Sequence, residues 1–276
     1  MSDTVIEISR LTKTFGAAAA LKGVSLRVQR GEMVALLGAS GSGKSTLMRH
    51  INGLHRADAG TPSVVTVLGR TLQAGGQLAA DVREQRARIA TIFQQFNLVD
   101  RLPVMTNVLA GALHRIAPWR GLLRRFPGAE SQRAYAALCD VGMERCAWQR
   151  ASTLSGGQQQ RAAIARALVQ GAEILLADEP IASLDPESSR RVMELLEQLN
   201  RTRGVTVLVS LHQVEHALRH CPRTIALRDG QIVFDGPSSA LTPARLTQLY
   251  GGEQLDAPTP AAAPEHRSPV PALQAA

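Results

Sequence analysis

Several residue types are scarce in this chain, and each scarcity removes a class of function. Aromatic residues make up 3% of the 276 residues and there are three cysteines. No apolar run approaches the ~20 residues that a bilayer-spanning helix needs. Cys139, Cys146 and Cys221 form no C-x-x-C pair, which removes the usual zinc and dithiol readings and fits a reduced, cytoplasmic setting. Met1 to Arg10 contains acidic residues and no apolar core, so no secretory leader is expected there. Acidic side chains are also in deficit, with 23 Asp+Glu against 31 Lys+Arg and a net charge of +8. That balance suits a polyanionic ligand, a nucleic acid or an anionic membrane face, and does not choose among them. The expected protein is soluble or sits on a membrane through a partner. Its length suffices for one large α/β domain or two modest ones.

What is present starts with Gly38-Ala39-Ser40-Gly41-Ser42-Gly43-Lys44-Ser45-Thr46. The apolar run Met33 to Leu37 precedes it and a helical pattern from Thr46 to Leu54 follows, so the order is strand, Gly-rich loop, helix. Glycines let successive backbone N–H groups curl around an anion, and the helix start adds partial positive charge. Such a loop holds phosphates. Lys44 is placed to reach the β- and γ-phosphates of a nucleotide and the Ser45 hydroxyl to ligate Mg²⁺.

Further along, Val5 to Ile8, Gly23 to Val28 and Val64 to Leu68 read as short strands, and Thr61-Pro62-Ser63 as a small insertion. Phe15, one of five phenylalanines, sits at a turn in polar surroundings and either stacks on a purine or closes a strand end in the core. Gln94 follows the strand-like Ile89 to Phe93, where an amide contacts a metal ion or water or simply makes a turn. Thr106 to Leu154 reads as helices broken at Pro118, Gly121, Pro127 and Gly128. In that stretch Arg115, Arg120, Arg124, Arg125 and Arg133 interleave with Trp119 and Phe126, a pattern of a solvated face, a protein-docking face or an anion-binding one. Ser155-Gly156-Gly157-Gln158 opens a second helix with a second Gly-rich start. The buried strand Glu173 to Ala177 ends in Asp178-Glu179. Two carboxylates there suit a cation and a proton-transfer task, Asp178 on Mg²⁺ and Glu179 on water. Ser183-Leu184-Asp185 turns into another helix, and His212 follows the strand Val205 to Val209. His212, His216 and His220 share helical spacing, which raises a metal site with no fourth ligand to complete it. Asp229-Gly230 makes a hairpin between Ile225 to Arg228 and Gln231 to Asp235. Asp256 to Ala276 is dominated by Pro and Ala and reads as disordered.

Taken in order, these segments resemble the nucleotide-binding subunit of ATP-binding-cassette (ABC) transporters, from Ile6 to about Gly236. The resemblance implies an α/β fold of the P-loop NTPase type. It has a mainly parallel core sheet, an N-terminal antiparallel β subdomain and a helical, signature-bearing subdomain at about 98–165. One ATPase domain would span 1–252, with a disordered tail at 253–276. ATP and Mg²⁺ are the implied ligands. Phe15 would stack on adenine, Gly38 to Thr46 would cradle the phosphates, and Ser45, Gln94 and Asp178 would surround the metal. Glu179 would be the general base and His212 would touch the γ-phosphate. Ser155, Gly156, Gly157 and Gln158, with Asp185, would face the ATP of a second identical subunit.

The stretches Phe93 to Val99, Asn107 to Gly111, Asp178 to Pro186 and Ser210 to Val214 are similar to the ATPase of bacterial phosphonate importers. That implies a homodimer joined to two integral-membrane permease subunits and served by a periplasmic phosphonate-binding protein, with the chain peripheral on the cytoplasmic face of the inner membrane. An importer or exporter of another solute, such as a polar amino acid, shares most of these motifs. A DNA-associated ABC ATPase would suit the +8 charge, but the chain has neither the sustained heptads nor the cysteine pairs of that class, so no nucleic-acid partner is expected.

Overall fold

In the computed structural model, which describes residues 3–242 together with 244 and 246, two 12-residue strands come first: Thr4–Phe15 (β1) and Ala18–Gln29 (β2). Both are longer than the segments that alternation picks out. The pairing register slips between Ile8 and Leu11 and again twice before Phe15, and such bulges erase the period-2 pattern. Ser63 supports the irregular backbone: its hydroxyl donates to Arg10 O at 3.0 Å and accepts from Thr12 N at 3.1 Å. Thr61-Pro62-Ser63 is therefore tied into the sheet and is not a loose insertion.

Next come Met33–Leu37 (β3), helix Lys44–Ile51 (α1), strands Val64–Val67 (β4), Arg70–Ala74 (β5) and Gln77–Leu78 (β6), helix Val82–Ala87 (α2) and strand Ile89–Ile92 (β7). Helices Val104–Leu109 (α3), Pro118–Leu122 (α4), Gly128–Asp140 (α5) and Gly156–Gln170 (α6) follow. The described chain ends with Ile174–Asp178 (β8), Pro186–Arg203 (α7), Thr206–Leu211 (β9), Val214–His220 (α8) and the hairpin Arg223–Arg228 (β10) and Gln231–Pro237 (β11). Two sheets result. One is antiparallel in the order β2-β1-β4-β5-β6; the other runs β11-β10-β3-β9-β8-β7 and is parallel except for the β10–β11 hairpin.

The central strands β3, β8 and β9 are buried at every position. Period-2 alternation deals their side chains to two cores. Val34, Leu36, Leu176 and Leu208 pack with β1, β2 and α1, whereas Ala35, Leu37, Leu175, Val207 and Val209 pack with α3, α5, α6 and α7. Burial on both faces is why these strands read as unbroken apolar runs. Each fully buried Leu or Val contributes roughly 1.5–3 kcal/mol relative to exposure. Exposed ion pairs such as Arg190–Glu194 contribute roughly 0–1 kcal/mol, so the two apolar layers hold the sheet and surface charge does not.

The helical stretch around 98–165 has no core of its own. Val104, Leu138 and Ile164 belong to the same apolar cluster as Leu37 and Val209. α6 runs past that stretch to Gln170, whose amide nitrogen faces the carbonyls of Arg86, Ala87 and Ile89 at 3.1, 3.2 and 3.1 Å. Arg115 clamps the same helix end, donating to Val169 O at 2.5 Å and Gln170 O at 3.0 Å while pairing with the nearly buried Glu130 at 2.8 Å. The expected tail at 253–276, and the expected domain end at 252, lie outside the described residues.

The Arg115 hydrogen bonds, joined by Arg133, hold the Glu130 carboxyl below the ordinary glutamate range. Its contribution to stability is fully present above the ordinary value of 4.5 and is lost as pH falls through the lower folded value. Arg115→Met should cost about 2–3 kcal/mol at neutral pH, because it leaves a buried carboxylate and two carbonyls short of a donor. In urea unfolding followed across pH, the gap between variant and parent should narrow as the solution is acidified below that range.

Candidate functional site

Parallel pairing aligns the ends of three strands. Leu37 lies opposite Leu211, and Asp178 opposite Ser210, so the segments leaving β3, β8 and β9 emerge on one edge of the sheet. There a cavity of about 400 Å³ is lined by Ala20, the run Ser40 to Thr46, Gln94, Glu179 and His212. These residues run from Ala20 to His212 along the chain, and the strand order brings them together. Gly43 caps α1 at φ 106°, a backbone state closed to L side chains, and a Cβ there would sit 2.7 Å from Ala20 O.

Lys44 is 4% exposed and donates from Nζ to Gly38 O at 2.7 Å and Ala39 O at 3.1 Å. Gly38 and Ala39 thus stand behind the lining as acceptors. Burial pushes the Lys44 ammonium pKa down, against the opposing pull of Glu179 and Asp178. A buried ammonium held mainly by carbonyls is under-compensated, and the natural completion of this cradle is an anion.

Asp178, 7% exposed, accepts at Oδ1 from the Ser45 hydroxyl at 2.9 Å and the Ser210 hydroxyl at 2.8 Å. Ser210 in turn accepts from Glu179 N at 2.8 Å. That hold fixes Glu179 in a left-handed backbone state, φ 50°, which a non-glycine residue seldom adopts and which turns its carboxylate out of the strand line. The carboxylate meets His212: Nε2 lies 2.5 Å from Glu179 Oε1. Ser210 enters the sequence analysis only within the stretch Ser210 to Val214, with no role of its own. Its available signal is a hydroxyl next to the end of a strand whose neighbours Val207, Leu208, Val209 and Leu211 are apolar.

Gln94 lines the cavity from the segment after β7. Arg166 on α6 secures that segment, donating to Asn97 O at 2.7 Å and Phe96 O at 3.2 Å. The signature residues lie elsewhere. Ser155 caps α6 in a capping box, accepting from Gln158 N at 3.4 Å while Gln158 Oε1 accepts from Ser155 N at 2.9 Å. Asp185 caps α7 through Ser188 N at 2.9 Å. The two helix starts meet: a Cβ on Gly157 would come within 2.6 Å of Ser188 Oγ, and Gly156 packs beside Leu184 and Phe96. None of Ser155, Gly156, Gly157, Gln158 and Asp185 lines the cavity.

Two further sequence candidates stand apart from this lining. Phe15 is half exposed, edge-on to His55 at 5.5 Å and under Lys13 at 5.2 Å, and it is not part of the cavity lining. The three histidines do not converge: His212 precedes α8 and faces Glu179, while His216 and His220 stack on α8 with His220 bonded to Glu197 at 2.9 Å. Among the described residues no group of three or more His, Cys, Asp or Glu is disposed to hold a metal.

Ser210→Ala removes one hydroxyl that serves both carboxylate residues. It should destabilise the protein by about 1–3 kcal/mol, the cost of leaving the Glu179 N–H and a share of Asp178 unsatisfied. The check is a lowered urea midpoint with an unchanged m-value; an unmoved midpoint would show that the bridge carries no stability.

The comparisons with known proteins bear on this geometry. A family model described as ABC transporter matches residues 21–182. The Phosphonates import ATP-binding protein PhnC of Cupriavidus pinatubonensis is 64% identical over 249 residues, covering 90% of this chain and 88% of that one. PhnC 1 of Pseudomonas aeruginosa strain UCBPP-PA14 is 57% identical, with 90% of both chains covered. Among solved structures, the dimeric post-hydrolysis state of the ATP-binding cassette MJ0796 bound to ADP and Pi superposes with a TM-score of 0.72 at 34% identity, covering 84% of this chain and 98% of that one. The phosphate-loop cradle, the carboxylate pair at the end of β8 and the identity along nine-tenths of the chain agree, and the chain belongs to the ABC transporter family as one of its ATP-hydrolysing subunits.

Proposed function

We propose that this chain is the ATPase subunit of an importer that couples ATP binding and hydrolysis to the uptake of phosphonates. The observation that carries the chemistry is the single cavity that holds the phosphate loop, Gln94, Glu179 and His212 together. The substrate class rests on the relatives, whose printed function is phosphonate import and whose identity runs along 90% of the chain.

In this reading the backbone of Gly38 to Thr46 binds the phosphates, and Lys44 exchanges its two carbonyl acceptors for phosphate oxygens. Phe15, half exposed beyond the cavity, offers its free face to the adenine. Glu179 takes a proton from the attacking water, and His212 orients it until the γ-phosphate arrives, then turns to that phosphate. The donor set fits Mg²⁺. The Ser45 hydroxyl and Asp178 are adjacent, Gln94 lines the same cavity as Ser45, and the described residues have no all-protein cage, as suits an ion held mainly by nucleotide phosphates and one carboxylate. Bound there, Mg²⁺ would neutralise charge on the phosphates.

The placement of Ser155 to Gln158 and Asp185 away from the chain's own cavity supports a head-to-tail homodimer in which these helix starts complete the partner's site. No described helix is long and apolar enough to cross a membrane, so the path for the phosphonate belongs to other chains: two permease subunits and a periplasmic binding protein. The chain then works at the cytoplasmic face of the inner membrane.

Glu179→Gln tests the base. The variant should bind ATP with parental affinity, accumulate as an ATP-bound dimer in size-exclusion chromatography and hydrolyse on the order of 10²-fold more slowly. Unchanged turnover would remove Glu179 from this role. Deleting the chain's gene from its host should abolish methylphosphonate uptake and leave amino-acid uptake intact; the reverse result would move the substrate class.

A further inference from the structure

The stretch after α3 carries side chains that neither the ATP site nor the core uses. Leu113, Trp119, Leu122 and Leu123 are exposed by 50, 52, 84 and 58%, a concentration of large apolar surface within eleven positions. The helix α4 sits in its middle and is closed by backbone hydrogen bonds, Leu123 N to Trp119 O at 3.0 Å and Arg125 N to Arg120 O at 2.8 Å. The apolar side chains are therefore displayed by an ordered turn.

The polar complement is narrow. From Ile116 to Ala129 the only hydrogen-bonding side chains besides the Trp119 indole are Arg120, Arg124 and Arg125. None of the three forms an ion pair among the described residues, and Arg120 lies 5.1 Å over the Trp119 ring. The flanking Arg115 and Arg133 differ, since both are engaged by Glu130. Three unpaired cations, with no carboxylate between Arg115 and Glu130, leave a local surplus of positive charge.

We propose that this turn is a contact for an anionic phospholipid surface. Trp, Leu and Arg with no amide, hydroxyl or acid among them match the chemistry of a membrane interface: apolar side chains enter between headgroups, the indole sits at their level and the guanidinium groups meet phosphates. A protein interface carries roughly one hydrogen bond per 100–200 Å², and between Ile116 and Ala129 this turn offers side-chain donors and no side-chain acceptor. The proposal rests on the reading of the chain as a membrane-peripheral subunit and adds the segment that touches the lipid directly.

Vesicle flotation of the purified full chain tests it. The parent should float with vesicles of phosphatidylcholine and phosphatidylglycerol, stay behind with phosphatidylcholine alone, and release as salt rises. Replacing Arg120, Arg124 and Arg125 by Gln should lower vesicle affinity about 100-fold, near fivefold per arginine. A control replacing the exposed Arg83, Arg145 and Arg150 by Gln should stay within about twofold of the parent. In Trp148→Phe, Trp119 is the remaining tryptophan, and its emission should shift to the blue on the anionic vesicles. Absent flotation, equal loss in the control, or an unshifted Trp119 would overturn the proposal. So would a patch variant that floats normally but no longer co-purifies with the membrane subunits, since that assigns the turn to a protein partner. Basal ATP hydrolysis is read alongside: the patch variant should retain it, and a parent lacking it would sink the ATPase reading while leaving the flotation result standing.

Discussion

Parallel pairing of β3, β9 and β8 is the constraint on which the rest depends. Once Leu37 is set opposite Leu211 and Asp178 opposite Ser210, three chain segments must leave the sheet at the same edge. The phosphate loop, Glu179 and His212 then share one cavity, although the chain sets the loop far from the other two. Ser210 locks the arrangement, because one buried hydroxyl bridges Asp178 and the Glu179 backbone across two strands. The left-handed turn at Glu179 is the local strain this hold sustains, and it aims the carboxylate into the cavity.

The helical segment is coupled to that edge by few, well-defined contacts. Arg166 grips the carbonyls of Phe96 and Asn97, just beyond Gln94, and Gly156 packs on Phe96. α6 and the Gln94 segment are therefore held against each other. At its other end α6 is held by Arg115 and by Gln170, and its apolar face merges with the sheet's own core. The helix start that carries Ser155 to Gln158 is thus packed in place yet not part of its own chain's cavity.

Much of the cavity lining is legible from residue order. The phosphate loop, Gln94, Asp178-Glu179 and His212 are sequence-local patterns at strand ends, and strand ends follow from apolar runs that must be buried. β1 and β2 were under-read because bulges break their alternation. The bridging role of Ser210 is not legible because a serine beside apolar residues has no spacing rule of its own. The His212, His216, His220 spacing pointed to one helical face, but α8 begins only at Val214, so His212 takes another direction. Phe15 marked a strand end correctly as a position, while its packing on His55 depends on a residue forty positions away.

The sequence alone determined which segments end at the candidate site, since each motif reflects local backbone needs: glycines where N–H groups must converge, a lysine and a hydroxyl beside them, carboxylates where a buried strand stops. Only the tertiary structure decided which of these meet. That depends on strand order and register, which are set by long-range burial on both faces of the sheet and leave no local trace. The same holds for the turn at Trp119 to Arg125. Its composition is plain to read, but that its apolar side chains stay uncovered and its arginines unpaired follows from where the neighbouring acids went, with Glu130 already claimed by Arg115 and Arg133.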